Sequence, residues 1–63
     1  MKLYITRDKI GTLTVHESEP YCLFSNWHNS KQEFYLDSGL FPEVTFENSP
    51  QEVELKLITN EKQ

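Results

Sequence analysis

Hydrophobic and polar residues alternate along much of this chain with a period of two, the spacing that sends successive side chains to opposite faces of a β-strand. Lys2-Leu3-Tyr4-Ile5-Thr6 shows it first, and Thr12-Leu13-Thr14-Val15-His16 repeats it after a five-residue gap. In that gap Asp8-Lys9-Ile10-Gly11 suits a type I turn. The Asp8 carboxylate accepts from backbone N–H groups ahead of it, and Gly11 supplies a residue with positive φ. The pattern predicts a hairpin with Leu3, Ile5, Leu13 and Val15 on one buried face, and Lys2, Tyr4, Thr6, Thr12, Thr14 and His16 on a wet one.

Glu17-Ser18-Glu19-Pro20 is polar and ends in a residue that cannot donate to a ladder, so it is expected to connect to a third strand starting at Tyr21. After Tyr21-Cys22-Leu23-Phe24, the Asn and Ser residues of 25–30 offer the backbone local side-chain bonds and predict a loop. Glu33-Phe34-Tyr35-Leu36 resumes alternation, and a second hairpin with residues 21–25 is expected. Asp37-Ser38-Gly39-Leu40-Phe41 predicts one short 3₁₀ turn near residues 38–41. Pro42 stops it and pushes Phe41 out of the α region. Residues 43–46 are expected to be extended, Asn48-Ser49-Pro50 to turn, and Gln51 to Ile58 to form a last strand with Val53, Leu55 and Leu57 inward and Glu52, Glu54 and Lys56 outward.

These elements predict an all-β fold, a small antiparallel meander of about five strands rolled into an open barrel or sheet, with the last strand beside the first. The expected core is Leu3, Ile5, Leu13, Val15, Leu23, Phe34, Leu36, Leu40, Phe41, Val44, Val53, Leu55 and Leu57. Residues 1–63 are taken as one small domain whose polar end, 59–63, frays.

Composition narrows the functional classes. A chain of 63 residues with one cysteine, Cys22, has no disulfide framework and must rely on packing or self-association. The lone thiol and the lack of a signal-like apolar start predict a cytoplasmic protein, and no apolar run approaches the roughly 18 residues of a membrane span. Ten acids oppose six bases, and seven of the acids lie in residues 32–63. Lys and Arg do not cluster as a phosphate-binding surface requires, so nucleic acid is disfavoured apart from a small basic patch at Arg7 and Lys9.

Candidate chemistry is sparse. His16, Cys22 and His28, with five residues between each pair, are the only regularly spaced polar set. Zinc sites draw close ligand pairs from one turn, so the expectation is no metal and no cofactor, with two surface histidines and a buried thiol. Cys22 has no identifiable base, and Glu52 and Glu54 fit the wet face of a strand, so no enzymatic activity is expected. Eight aromatics exceed what a minimal core requires. Tyr4, Tyr21, Phe24, Trp27 and Tyr35 fall on positions that alternate away from the core. Such a set either becomes core when the sheet curls, forms the centre of a protein interface, or stacks unpaired bases. The expectation is a noncatalytic interaction or accessory module that uses this aromatic surface to contact an unknown protein partner or itself as a homodimer. Single-stranded nucleic-acid binding through the same aromatics is the alternative.

The chain also resembles a group of short bacterial proteins associated with mobile elements. The likeness rests on Arg7, Asp8 and Gly11, on Phe41 to Thr45, on Phe46 to Pro50, and on Val53 to Leu57. It spans most of the chain but not residues 21–33. No activity is assigned to that group, so the resemblance implies turn placements and no catalytic or binding residue.

Overall fold

The structure, a computed structural model, describes residues 1–59. Most of the end expected to fray, residues 60–63, lies outside them. Among the described residues six strands form: β1 Lys2–Arg7, β2 Leu13–His16, β3 Tyr21–Leu23, β4 Asn26–His28, β5 Glu33–Leu36 and β6 Gln51–Glu54. Four make an antiparallel sheet in the order β5-β2-β1-β6, and β3 and β4 form a separate hairpin. The fold is all-β, and the sheet is open, since β5 and β6 each pair on one side only. No helix among the described residues is long and apolar enough to cross a membrane.

The first hairpin forms as its turn chemistry dictates. Asp8 Oδ1 accepts from Ile10 N at 3.2 Å and Thr12 N at 3.0 Å, and Gly11 sits at φ +100°, with nothing near its missing Cβ. Glycine is needed there for conformation rather than space. β6 lies beside β1 as expected, with Val53 opposite Leu3 and Glu52 opposite Tyr4.

Several local expectations are overturned. Residues 33–36 pair with β2 instead of residues 21–25, which sets Phe34 against Val15 and Leu36 against Leu13, apolar on apolar. The segment 26–28, expected to be loop, is the strand β4. Phe24 and Ser25 adopt φ of 52° and 68° and fold β3 straight back in a two-residue turn.

Residues 43–46 form turns instead of an extended strand, because side chains take up the backbone groups a ladder would use. Thr45 N donates to Asn48 Oδ1 at 2.8 Å, Ser49 Oγ donates to Thr45 O at 2.6 Å, and Arg7 Nε donates to Val44 O at 2.6 Å. The segment 38–41 makes one short turn with the i→i+3 bond of a 3₁₀ turn, Leu40 N to Asp37 O at 3.0 Å, which does not extend into a helix. Phe41 lies at φ 48°, left-handed rather than extended.

The core is smaller than predicted. Leu3, Ile5, Leu13 and Val44 are buried, and Val15, Leu36 and Val53 pack on them partly covered. Leu23, Phe34, Leu40, Phe41, Leu55 and Leu57 are exposed. Leu55 N still donates to Met1 O at 2.8 Å, but residues 56–58 run past the start of β1 and belong to no strand.

The face expected to be wet is covered. Thr6, Thr14 and His16 are buried there because residues 17–32 fold over it, tied down by Glu17 N to Gln32 O at 3.0 Å and by the buried Pro20.

Candidate interaction site

The aromatic residues singled out by alternation divide between the β3–β4 hairpin and the sheet face beneath it. Phe24 stands at the hairpin tip, 89% exposed, on a backbone conformation that suits Asn or Gly far better than Phe. Tyr21 is exposed and faces His28 across the hairpin, ring centroids 5.9 Å apart. Trp27, paired across the ladder with Cys22, is half-buried against Phe46 at 6.1 Å. Its Nε1 is buried with no hydrogen-bond partner. Tyr35 is exposed on β5, and Tyr4 is half-buried on β1 opposite His16.

Trp27 and Tyr35 meet across a cleft of about 420 Å³ whose other walls include Thr6, Thr12, Thr14, Asp8 and Glu33. Tyr4, Tyr21 and Phe24 do not line it. The expected single aromatic face is therefore two neighbouring features, a polar cleft with two aromatic walls and an apolar hairpin tip.

The floor of that cleft is held by a chain that alternation alone did not flag. Thr6 Oγ1 lies 2.8 Å from His16 Nε2, and His16 Nδ1 lies 2.7 Å from Asn29 Oδ1. Asn29 Nδ2 points at Ser18 Oγ, 3.3 Å away, and at Gln32 O, 3.4 Å away, which fixes the amide so that its oxygen faces the ring. In the neutral ring Nδ1–H therefore donates to Asn29 and Nε2 accepts from Thr6. Glu33 Oε1 is 3.4 Å from Nδ1.

Hydroxyl, imidazole and amide in this order have the connectivity of a nucleophilic triad. Their burial gives them a different role. Thr6 and His16 are 1% and 0% exposed, so no substrate atom reaches the hydroxyl. The chain instead joins β1, β2 and the covering segment 17–32, with every ring nitrogen satisfied. His16 is thus a buried residue, against the surface position expected for it. Cys22 is exposed, against the expectation of a buried thiol, because its two-stranded hairpin is too thin to enclose it. His28 is exposed. Among the described residues no group of His, Cys, Asp and Glu side chains comes together as a metal would require.

The basic patch expected at Arg7 and Lys9 is also changed. Arg7 directs its guanidinium N–H groups to carbonyl oxygens: Gly11 and Ser38, both at 2.9 Å, Leu40 at 2.8 Å, Phe41 at 3.1 Å, and Val44 through Nε. Nothing is left over for a phosphate. Lys9 lies over the Phe46 ring at 5.2 Å, and Lys2 reaches Glu52 at 3.8 Å.

No family model matches the chain, and no curated protein or solved structure matches it significantly.

Proposed function

We propose that this protein is a noncatalytic interaction module whose β3–β4 hairpin, with Phe24 at its tip and Tyr21, Trp27 and Tyr35 behind it, contacts a protein partner. The observation that carries this reading is Phe24 itself. A large apolar ring is presented to solvent on a positive-φ backbone that costs on the order of 1 kcal/mol or more, where Asn or Gly would be free of strain. Strained, exposed aromatics concentrate at contact surfaces because folding gains nothing from them. Base stacking would need cations alongside the rings, and Arg7 is fully engaged by carbonyls.

The test places a benzophenone side chain at position 24 and, as a control, at Ile10, which is 87% exposed on the opposite hairpin's turn. Irradiation in cells should give a discrete protein adduct from position 24 that position 10 lacks. Equal labelling from both positions, or none from 24, overturns the proposal. Steeply salt-dependent binding of a labelled single-stranded oligonucleotide would overturn it in favour of base stacking.

A further inference from the structure

One face of the four-stranded sheet is covered only in part, by Val44 and the segment around it. The ladders set Ile5 opposite Val15, Val15 opposite Phe34, Leu13 opposite Leu36 and Leu3 opposite Val53, so these side chains share one side. Val44 covers Ile5 and Leu13. The neighbouring surface is an apolar depression of about 360 Å³ whose lining includes Leu3, Val15, Phe34, Phe41 and Leu55, with Glu54 the one charged contributor among the described residues. Past its rim Leu57 and Ile58 are 91% and 89% exposed.

We propose that a second copy of this chain covers this face, the two apolar sheets packing about a two-fold axis as the layers of a β-sandwich. A sheet that is apolar on one side is stable when that side meets another layer, at a sheet separation of about 10 Å. The area matches. With apolar side chains worth roughly 150–250 Å² each, the exposed fractions of Phe34, Phe41, Leu55, Leu57 and Ile58 leave on the order of 600 Å² per chain. That is the lower end of what one partner contributes to a stable interface, about 600–1,000 Å², and the top of the range, about 300–600 Å², for the largest patch on a monomer.

Charge agrees as well. An isologous contact sets the centre of the patch against itself, so a charge there would meet its own copy. Here the centre carries none, and Glu54 stands on the edge strand β6. The chain is elongated. Its extents are 48 × 25 × 16 Å and its radius of gyration is 13.1 Å, against about 11 Å for a compact chain of this length. A second layer thickens the short dimension, and Leu57 and Ile58 of each copy then have an apolar surface to lie on.

This face lies opposite the one covered by residues 17–32, so the inference is independent of the proposed hairpin contact, and either can fail alone. Sedimentation equilibrium from about 1 to about 100 µM should show the mass rise from 7.5 kDa to twice that value. Phe34→Asp and Leu57→Asp should each hold the protein at the single-chain mass throughout, while Ile10→Asp should dimerise as the wild type does. Leu57 is 91% exposed, so its variant reports on the contact even if Phe34→Asp fails to fold. A wild-type protein that stays at 7.5 kDa overturns the proposal, and in that case co-sedimentation with phosphatidylglycerol vesicles would identify a lipid surface as the occupant. A dimer that Leu57→Asp leaves intact overturns it in favour of another interface.

Discussion

Arg7 shows how much of this fold depends on a single side chain. Its carbonyl partners come from residues 11, 38, 40, 41 and 44, so one planar group fixes a turn and the whole irregular segment before β6. Residues of the two turns read from the sequence, 8–11 and 48–50, lie around it. Asp8 and Gly11 make the turn whose carbonyl Arg7 binds, and Asn48 Nδ2 donates to Glu43 O at 2.9 Å. Arg7 N donates to Ser49 Oγ at 2.9 Å. A motif of this kind is explained by structure without any ligand. Lysine keeps the charge but offers three donors from a point and cannot reach carbonyls spread around a fork. Arg7→Lys should therefore lower stability by about 1–3 kcal/mol, discounted here because several of the bonds are exposed to water. Urea unfolding followed by tryptophan fluorescence would measure it, and a midpoint equal to that of the wild type would contradict the role given to the fork.

Elements with a strong local code were legible in the sequence. The β1–β2 hairpin, its Asp8–Gly11 turn and the return of β6 to β1 follow from alternation and turn chemistry alone. What alternation could not show is which backbone groups side chains would claim. Arg7, Asn48 and Ser49 turn an alternating Glu43–Phe46 into a loop, and β5 found its apolar partners on β2 instead of β3. The wet face was misjudged for a similar reason. Its threonines and His16 look solvent-facing in a strand pattern, yet 17–32 folds over them and Asn29 satisfies the ring. For the candidate site, alternation picked out the aromatics but could not divide them between cleft and hairpin. The hairpin offers its own test. Replacing Phe24-Ser25 by Asn-Gly, the pair suited to two positive φ angles, should stabilise the protein by about 1 kcal/mol while weakening its hold on the partner. A rise in thermal midpoint, together with weaker binding of the protein that crosslinks from position 24, would show that strain is kept there for recognition. A fall in midpoint would mean that the phenyl ring contributes to the fold.

The molecule is long and narrow, and among the described residues four buried hydrophobic side chains form its centre. Cores of this size give small domains only a few kcal/mol, so a layer supplied by a second copy would be a large share of the total. That has a consequence for stability that does not depend on resolving masses. If the folded state is a dimer and the unfolded state a monomer, each tenfold rise in concentration favours folding by about 1.4 kcal/mol of dimer. Spread over the unfolding entropy of two chains of 63 residues, this raises the thermal midpoint by about 5 °C. Scanning calorimetry over a hundredfold range should thus show a midpoint climbing by about 10 °C, with Leu57→Asp flattening the slope. A midpoint that stays constant for the wild type would mean that the single layer is sufficient, and that its open apolar face is held in reserve for a different partner.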